Sequence, residues 1–319
     1  MNLTVTSSPH IRGNDSTKRI MRDVNLSLMP ALIFGIAHFG VRALIVTVVC
    51  ILAALVSELA ANKFIFKDNR ELDGSAFVTG MLLAMTLPAS VPYWLAALGS
   101  VFAIIVVKAF SGGLGQNIFN PALAARAFML MLWPVGMVRY FATDGWFGGM
   151  DAVTGATPLH HMVMPALPEQ SLLDMFLGNT PGSIGEVSAA LLILGGAYLV
   201  WKKIISLRIP VAYLGTVAVL TLIFHKTDSA LLWMSYSLLS GGVVLGAIFM
   251  ATDYATSPVT GLGQIIYGIG CGVLTVIFRY TGLFPEGVTY AILIMNGLSW
   301  AIDRLTPPRR YGSGKGGAA

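Results

Sequence analysis

Hydrophobic residues fall along this chain in ten runs, at roughly 24–39, 41–61, 75–89, 91–109, 118–134, 187–203, 209–225, 230–252, 262–280 and 286–304. A lipid bilayer needs about 20 apolar residues per spanning helix, so the pattern predicts a set of membrane helices. Two runs depart from a simple span. Ser75 to Pro88 offers 14 residues, about 21 Å of helix where the apolar slab measures about 30 Å. Ala230 to Thr252 is long enough but is interrupted by Ser240-Gly241-Gly242. Broken segments of this kind persist at membrane depth where the freed backbone is buried in protein or lines a cavity.

The two irregular runs match each other. Val78, Gly80, Thr86, Ala89 and Pro92 recur as Val244, Gly246, Thr252, Ala255 and Pro258, every pair 166 positions apart. The same offset carries runs one to five onto runs six to ten, and an odd number of spans per half implies an inverted repeat. The expected fold is an all-α integral membrane protein, about ten transmembrane helices in two inverted five-helix repeats with broken helices. Its divisions read as an N-terminal segment 1–23, a first repeat 24–134, a loop 135–186, a second repeat 187–305 and a flexible tail 306–319.

Composition agrees with the pattern. Hydrophobic residues make up 55% and charged residues 11% of the 319, and the mean hydropathy is +0.75, too apolar for a soluble domain. The formal charge of +5 reads as basic residues anchoring cytoplasmic loops, which argues against nucleic-acid binding. With the N-terminus inside, Lys63, Lys67, Arg70, Lys108, Lys202, Lys203, Arg208 and the basic residues from Arg304 onward share the cytoplasmic side. Arg139, Lys226 and Arg279 fall in outer loops, and Arg42 at an outer helix end. Both termini are therefore expected to be cytoplasmic and the 135–186 loop extracytoplasmic. The polar, basic N-terminus carries no cleavable leader pattern, so the first helix is expected to act as the insertion signal. Cys50 and Cys271 lie inside apolar runs without metal-ligand spacing and read as packing residues.

Candidate chemistry sits in two segments. The first is Asp151-Ala152-Val153-Thr154-Gly155-Ala156-Thr157-Pro158, in the long polar loop. Gly155 and Ala156 leave the backbone uncrowded, and Pro158 biases Thr157 toward an extended conformation that presents its hydroxyl. The plain alternative is a surface turn of small residues. The second is Phe110-Ser111-Gly112-Gly113-Leu114-Gly115-Gln116-Asn117-Ile118-Phe119-Asn120-Pro121-Ala122, which enters the fifth run. Its glycines allow close backbone approach of a flat ligand, and the carboxamides of Asn117 and Asn120 offer donors and acceptors. Asn120 followed by Pro121 is equally a helix start, which accounts for Asn120 and leaves Asn117 unexplained.

Both segments resemble signatures of one family, RnfD/NqrB, whose members are membrane subunits of Rnf electron-transport complexes and of the sodium-translocating NADH:quinone reductase. The resemblance covers nearly the whole chain and favours the Rnf member, because only about two dozen residues precede the first run. It implies a urea-transporter-like architecture. It implies FMN esterified through its phosphate to Thr157 by a dedicated FMN transferase, with Asp151, Thr154, Gly155 and Ala156 forming the recognition segment. A non-covalent riboflavin is implied near Gly113, Asn117 and Asn120. The chain would then be a flavin-carrying membrane subunit of an ion-translocating ferredoxin:NAD⁺ oxidoreductase in a bacterial cytoplasmic membrane, working with the other Rnf subunits and coupling electron flow to Na⁺ or H⁺ transport. Flavins carry the electrons, so no catalytic side chain is expected, and the chain has no nucleotide-binding glycine pattern of its own.

Ionisable residues near the slab are costly unless they face water or a partner, which singles out Glu58, Lys108, Arg126 and Asp253. Arg126 could meet a flavin or quinone, or form an internal ion pair. Asp253, beside Thr252, Thr256 and Ser257, offers oxygen ligands for Na⁺, or else is an interfacial residue beside a turn. His160 and His161 read as loop residues. The competing function from a different class is a channel or secondary transporter for a small polar solute, suggested by the repeat and broken helices alone, and a purely structural scaffold is a further one.

Overall fold

The computed structural model describes residues 16–67, 73–143, 150–154, 157–159, 167–168, 170–282 and 287–307, with the backbone alone at 141–143 and 150–154. Ser16 opens the first helix, α1 (Thr17–Phe39), where its hydroxyl oxygen accepts from the Arg19 amide at 3.3 Å and satisfies one of the orphan donors of a helix start. The helix thus begins ahead of the apolar run expected from residue 24. Its polar early turns include buried Asp23, whose carboxylate accepts from the Tyr198 hydroxyl at 3.2 Å.

After Gly40, α2 (Val41–Ala61) continues into a π turn, Asn62–Phe66. The short run forms α3 (Ser75–Thr86), in which every residue except Phe77 is buried, as a helix that is apolar on all sides requires. Next come α4 (Tyr93–Val101), extended by a π stretch Phe102–Ala109, and α5 (Pro121–Leu132).

The segment expected as a loop over 135–186 has structure of its own. It contains α6 (Pro134–Met137), the strands β1 (Phe141–Thr143) and β2 (Met150–Thr154), and α7 (Leu172–Leu177). The strands pair antiparallel, Phe141 opposite Thr154 and Thr143 opposite Met150. They are the departure from an all-helical fold among the described residues.

The second half runs α8 (Ala189–Trp201), α9 (Arg208–Ile223), α10 (Ala230–Leu239), α11 (Val243–Leu245, continuing as a π turn Gly246–Met250), α12 (Gly261–Thr281) and α13 (Val288–Leu305). The interruption expected at Ser240-Gly241-Gly242 is present: the helices on either side are bent by 64°, and Gly241 and Gly242 take φ values of 61° and 65° that a side chain would strain. By length and composition, among the described residues, Thr17–Phe39, Val41–Phe66 and Gly261–Thr281 can cross a membrane, and the bent pair makes a fourth. These apolar helices fit an integral membrane protein.

Lipid supplies no hydrophobic drive between helices, so their association rests on close packing and hydrogen bonds. Gly195 lets α8 approach α1, because a β-carbon there would fall 2.2 Å from the Ser27 carbonyl oxygen. Side chains on α12 at a four-residue spacing, Tyr267, Cys271, Thr275 and Arg279, are all buried and share one face. Their hydroxyls fasten neighbours: the Thr275 and Tyr213 hydroxyls lie 2.6 Å apart, and the Tyr267 hydroxyl lies 2.5 Å from the Asn296 carboxamide. The two halves meet where α1 packs on α8 and α5 on α13. In each contact the partners are the helices that the 166-residue offset relates.

Candidate functional site

Thr157 is half-buried and lines a pocket together with Tyr140, Met175, Glu186, Ser240 and Gly241. Asp151 and Thr154 lie in β2, just ahead of it, while Gly155 and Ala156 lie outside the described residues. His160 and His161 are outside them too. The pocket forms against the break between α10 and α11, which frees backbone carbonyls from helical bonding. Arg279 takes them up: its guanidinium donates to the carbonyls of Ser237 and Ser240 at 2.7 Å each and of Gly241 at 3.4 Å. Buried irregular backbone needs this kind of internal partner.

Charge along the chain suggested an outer-loop position for Arg279. It lies instead in the last turn of α12, with 7% of its surface exposed. Charge counting could not anticipate this, since a basic residue at a helix end looks the same whether it faces solvent or a neighbouring break. The signal available was the Ser240-Gly241-Gly242 interruption, whose carbonyls required a donor from elsewhere.

Glu186, also on the pocket wall, belongs to an ion pair. Arg126 Nη1 on α5 lies 3.1 Å from Glu186 Oε1, with side-chain exposures of 6% and 10%. Arg126 forms an internal pair, and its partner Glu186 lines the Thr157 pocket rather than the cleft of the asparagines. Glu186 was not singled out by sequence, being an ordinary acid at the end of a long loop. A β-carbon on Gly242 would fall 2.3 Å from Glu186 Oε1, so the glycine is what admits the carboxylate to the break.

A second cleft, away from this pocket, is lined by Ser75, Lys108, Asn117, Asn120, Thr252 and Asp253. Asn120 caps α5 as expected: Oδ1 accepts from the amides of Ala122 at 3.1 Å and Leu123 at 3.3 Å. Its Nδ2 donates to the Met250 carbonyl at 3.3 Å, tying the start of α5 to the end of the broken segment. With its amide oriented to satisfy both neighbours, Asn296 accepts from the Asn120 backbone N–H at 3.1 Å. Asn117 is 5% exposed and donates to the Phe119 carbonyl at 3.1 Å.

Lys108 closes one wall of that cleft through a buried ion pair with Glu58 and a bond to the Ser75 hydroxyl. Glu58, Lys108 and Arg126, the ionisable residues singled out near the slab in the first half, are thus paired internally, which offsets the cost of burying them. Gly113, at φ 104°, lines an adjoining pocket with Glu58 and Asp73, which shares Lys108 and Leu114 with the cleft. Asp253 sits in a turn where its carbonyl accepts from the amides of Thr256 at 3.3 Å and Ser257 at 3.1 Å. Its carboxylate accepts from the Thr256 hydroxyl at 3.3 Å, and burial pushes it above the usual carboxylate range. Among the described residues no three His, Cys, Asp or Glu side chains gather as a metal site.

Comparison with known proteins gives the same kinship along nearly the full length. The chain is 46% identical over 315 residues to the D subunit of the Na⁺-translocating ferredoxin:NAD⁺ oxidoreductase complex of Acetobacterium woodii, covering 98% of this chain and 96% of the relative. It is 44% identical over 320 residues to the D subunit of the proton-translocating ferredoxin:NAD⁺ oxidoreductase complex of Clostridium ljungdahlii, covering 97% and 96%. The D subunit of the ion-translocating oxidoreductase complex of Stutzerimonas stutzeri is 38% identical over 327 residues, covering 93% and 92%. The family model described as NQR2, RnfD, RnfE matches residues 4–312, and the chain belongs to that family.

Proposed function

We propose that this protein is the flavin-carrying membrane subunit of an ion-translocating ferredoxin:NAD⁺ oxidoreductase complex, with FMN esterified to Thr157 and riboflavin held non-covalently beside Asn117 and Asn120. The observation that carries the reading is Thr157: the last residue of Thr154-Gly155-Ala156-Thr157 lies half-buried on a pocket wall rather than on an open turn. The residues around it suit the group. Tyr140 and Met175 offer apolar faces, Ser240 and Glu186 polar edges, and Arg126 and Arg279 nearby positive charge. In the second cleft, carboxamides and the Lys108 ammonium suit the carbonyl-rich edge of an isoalloxazine ring.

Bound flavins would supply the electron-carrying chemistry, and this chain's residues would set distance, polarity and water access. Ferredoxin and NAD⁺ would be handled by other subunits of the complex, and an FMN transferase would be needed for maturation. The accompanying topology is ten spans in two inverted repeats, urea-transporter-like, in a bacterial cytoplasmic membrane, with both termini inside and the Thr157 loop outside. Its support is that α1 and α5 each pack on the helix that the 166-residue offset relates to them. Asp253 and the hydroxyls of Thr252 and Thr256 would be the oxygen ligands offered to a transported cation.

Two other readings remain distinct in what they predict. The NqrB member, from the sodium-translocating NADH:quinone reductase, shares the family and the flavin; the relatives named above favour the Rnf member. A channel or secondary transporter for a small polar solute would use the broken helices without any flavin. In-gel fluorescence of the denatured protein, made with its transferase, decides between flavin and no flavin. Thr157→Ser should stay fluorescent, Thr157→Ala should go dark, and intact mass should differ by one FMN less water. A dark wild-type band of unmodified mass would overturn the flavin reading and leave the transporter to be tested.

A further inference from the structure

We propose that Arg279 sets the reduction potential of the flavin carried by Thr157, acting as a buried positive charge behind the wall of its pocket. The inference rests on the flavin attachment proposed above. Arg279 fulfils two requirements for such a role: its charge is permanent, and its position is fixed.

The charge is permanent because a guanidinium does not lose its proton in a protein. The position is fixed by the bonds to Ser237, Ser240 and Gly241, which hold the planar fork from both ends. Proximity follows from Gly241. A β-carbon at that residue would fall 3.0 Å from Arg279 Nη2 and 2.7 Å from Leu159 Cδ2, and both Gly241 and Leu159 line the Thr157 pocket. The guanidinium therefore lies against two residues of the pocket wall.

Reducing a flavin adds negative charge. A cation held close by in a medium of low dielectric favours the reduced form and so raises the potential. Glu186, also on the pocket wall, acts in the opposite sense, and its charge is opposed by Arg126 at 3.1 Å. The same bonds that let Arg279 support the broken backbone hold its charge beside the pocket wall.

The test uses full-length protein made with the FMN transferase, purified in detergent as wild type, Arg279→Gln, Arg279→Lys and Arg279→His. The midpoint potential of the covalent flavin is read as the difference between spectroelectrochemical titrations of Thr157-bearing and Thr157→Ala protein. Arg279→Gln should keep the fluorescent, mass-shifted band and favour oxidised flavin by about tenfold, which is about 59 mV downward for one electron. Arg279→Lys should stay near wild type. Arg279→His should approach wild type at about pH 5.5, where imidazole is protonated, and Arg279→Gln at about pH 8. An unchanged potential in Arg279→Gln, with the flavin still attached, overturns the inference and leaves the attachment standing. If Arg279→Gln fails to fold, a His variant whose potential parallels wild type across pH overturns it equally. Absence of covalent flavin in the wild type is instead a failure of the functional reading.

Discussion

Arg126 and Glu186 stand 60 residues apart in sequence and meet at 3.1 Å inside the protein. One comes from α5 and the other from the end of the loop just ahead of α8, so their contact ties that loop to the first half at the Thr157 pocket. A buried pair broken on one side leaves a charge without compensation, at a cost of about 3–5 kcal/mol, whereas replacing both by apolar residues of similar size is near neutral. Arg126→Ala and Glu186→Ala should each lower the thermal midpoint in detergent markedly, and Arg126→Met with Glu186→Leu should recover most of the loss. Equal destabilisation by the double and single variants would show that the pair does not act as a unit.

Asn120 serves three partners, the amides of Ala122 and Leu123 and the carbonyl of Met250. Asn120→Ser keeps a capping oxygen but drops the tie to Met250, for a loss of about 1 kcal/mol. Asn120→Ala removes the cap as well and should cost about 1 kcal/mol more. Thermal unfolding followed by size-exclusion chromatography should rank wild type above Ser and Ser above Ala. Equal losses would mean that the cap contributes nothing.

Burial raises the Asp253 carboxyl, partly opposed by bonds from the Ala255 backbone and the Thr256 side chain. A raised acid favours the neutral form in the folded state, so stability falls as pH climbs from the unfolded value, about 3.9, through the raised folded value. Asp253→Asn removes that penalty. It should melt higher than wild type at about pH 8, with the gap closing as the buffer is acidified. A gap that is constant with pH would show that Asp253 does not titrate differently in the folded state.

Gly195 is a point of close approach between α1 and α8, with the Ser27 carbonyl oxygen 2.2 Å from where a β-carbon would sit. Because the obstacle is backbone, Gly195→Ala must part the helices, and overpacking of this kind costs about 1–3 kcal/mol. Thr275→Val loses a single interhelical hydrogen bond, to Tyr213, worth about 0.6 kcal/mol on average in membrane bundles. Melting in detergent should therefore show a much larger drop for the glycine variant. Comparable drops would mean that the helices part there at little cost.

The apolar runs were legible because each helix must be hydrophobic along its own length, and every run carries a helical segment. The break at Ser240-Gly241-Gly242 and the cap at Asn120 were legible for a similar reason, since glycine and asparagine act on the backbone next to them. What could not be read was pairing. Nothing local to Arg126 says that Glu186 will stand opposite, and nothing in Arg279 separates a solvent-facing end from a buried one. The strands at Phe141–Thr143 and Met150–Thr154 are too brief to stand out from a polar loop.

The near-total burial of α3 has a consequence for how the chain enters the membrane. Twelve residues make about 18 Å of helix, too little to cross the hydrocarbon layer alone. With almost every side chain covered by neighbours, α3 gains its environment from the finished protein rather than from lipid. Its insertion must therefore wait on the helices that enclose it, α2 and α5 among them. The short helix between α2 and α4 is then the one that biogenesis completes late.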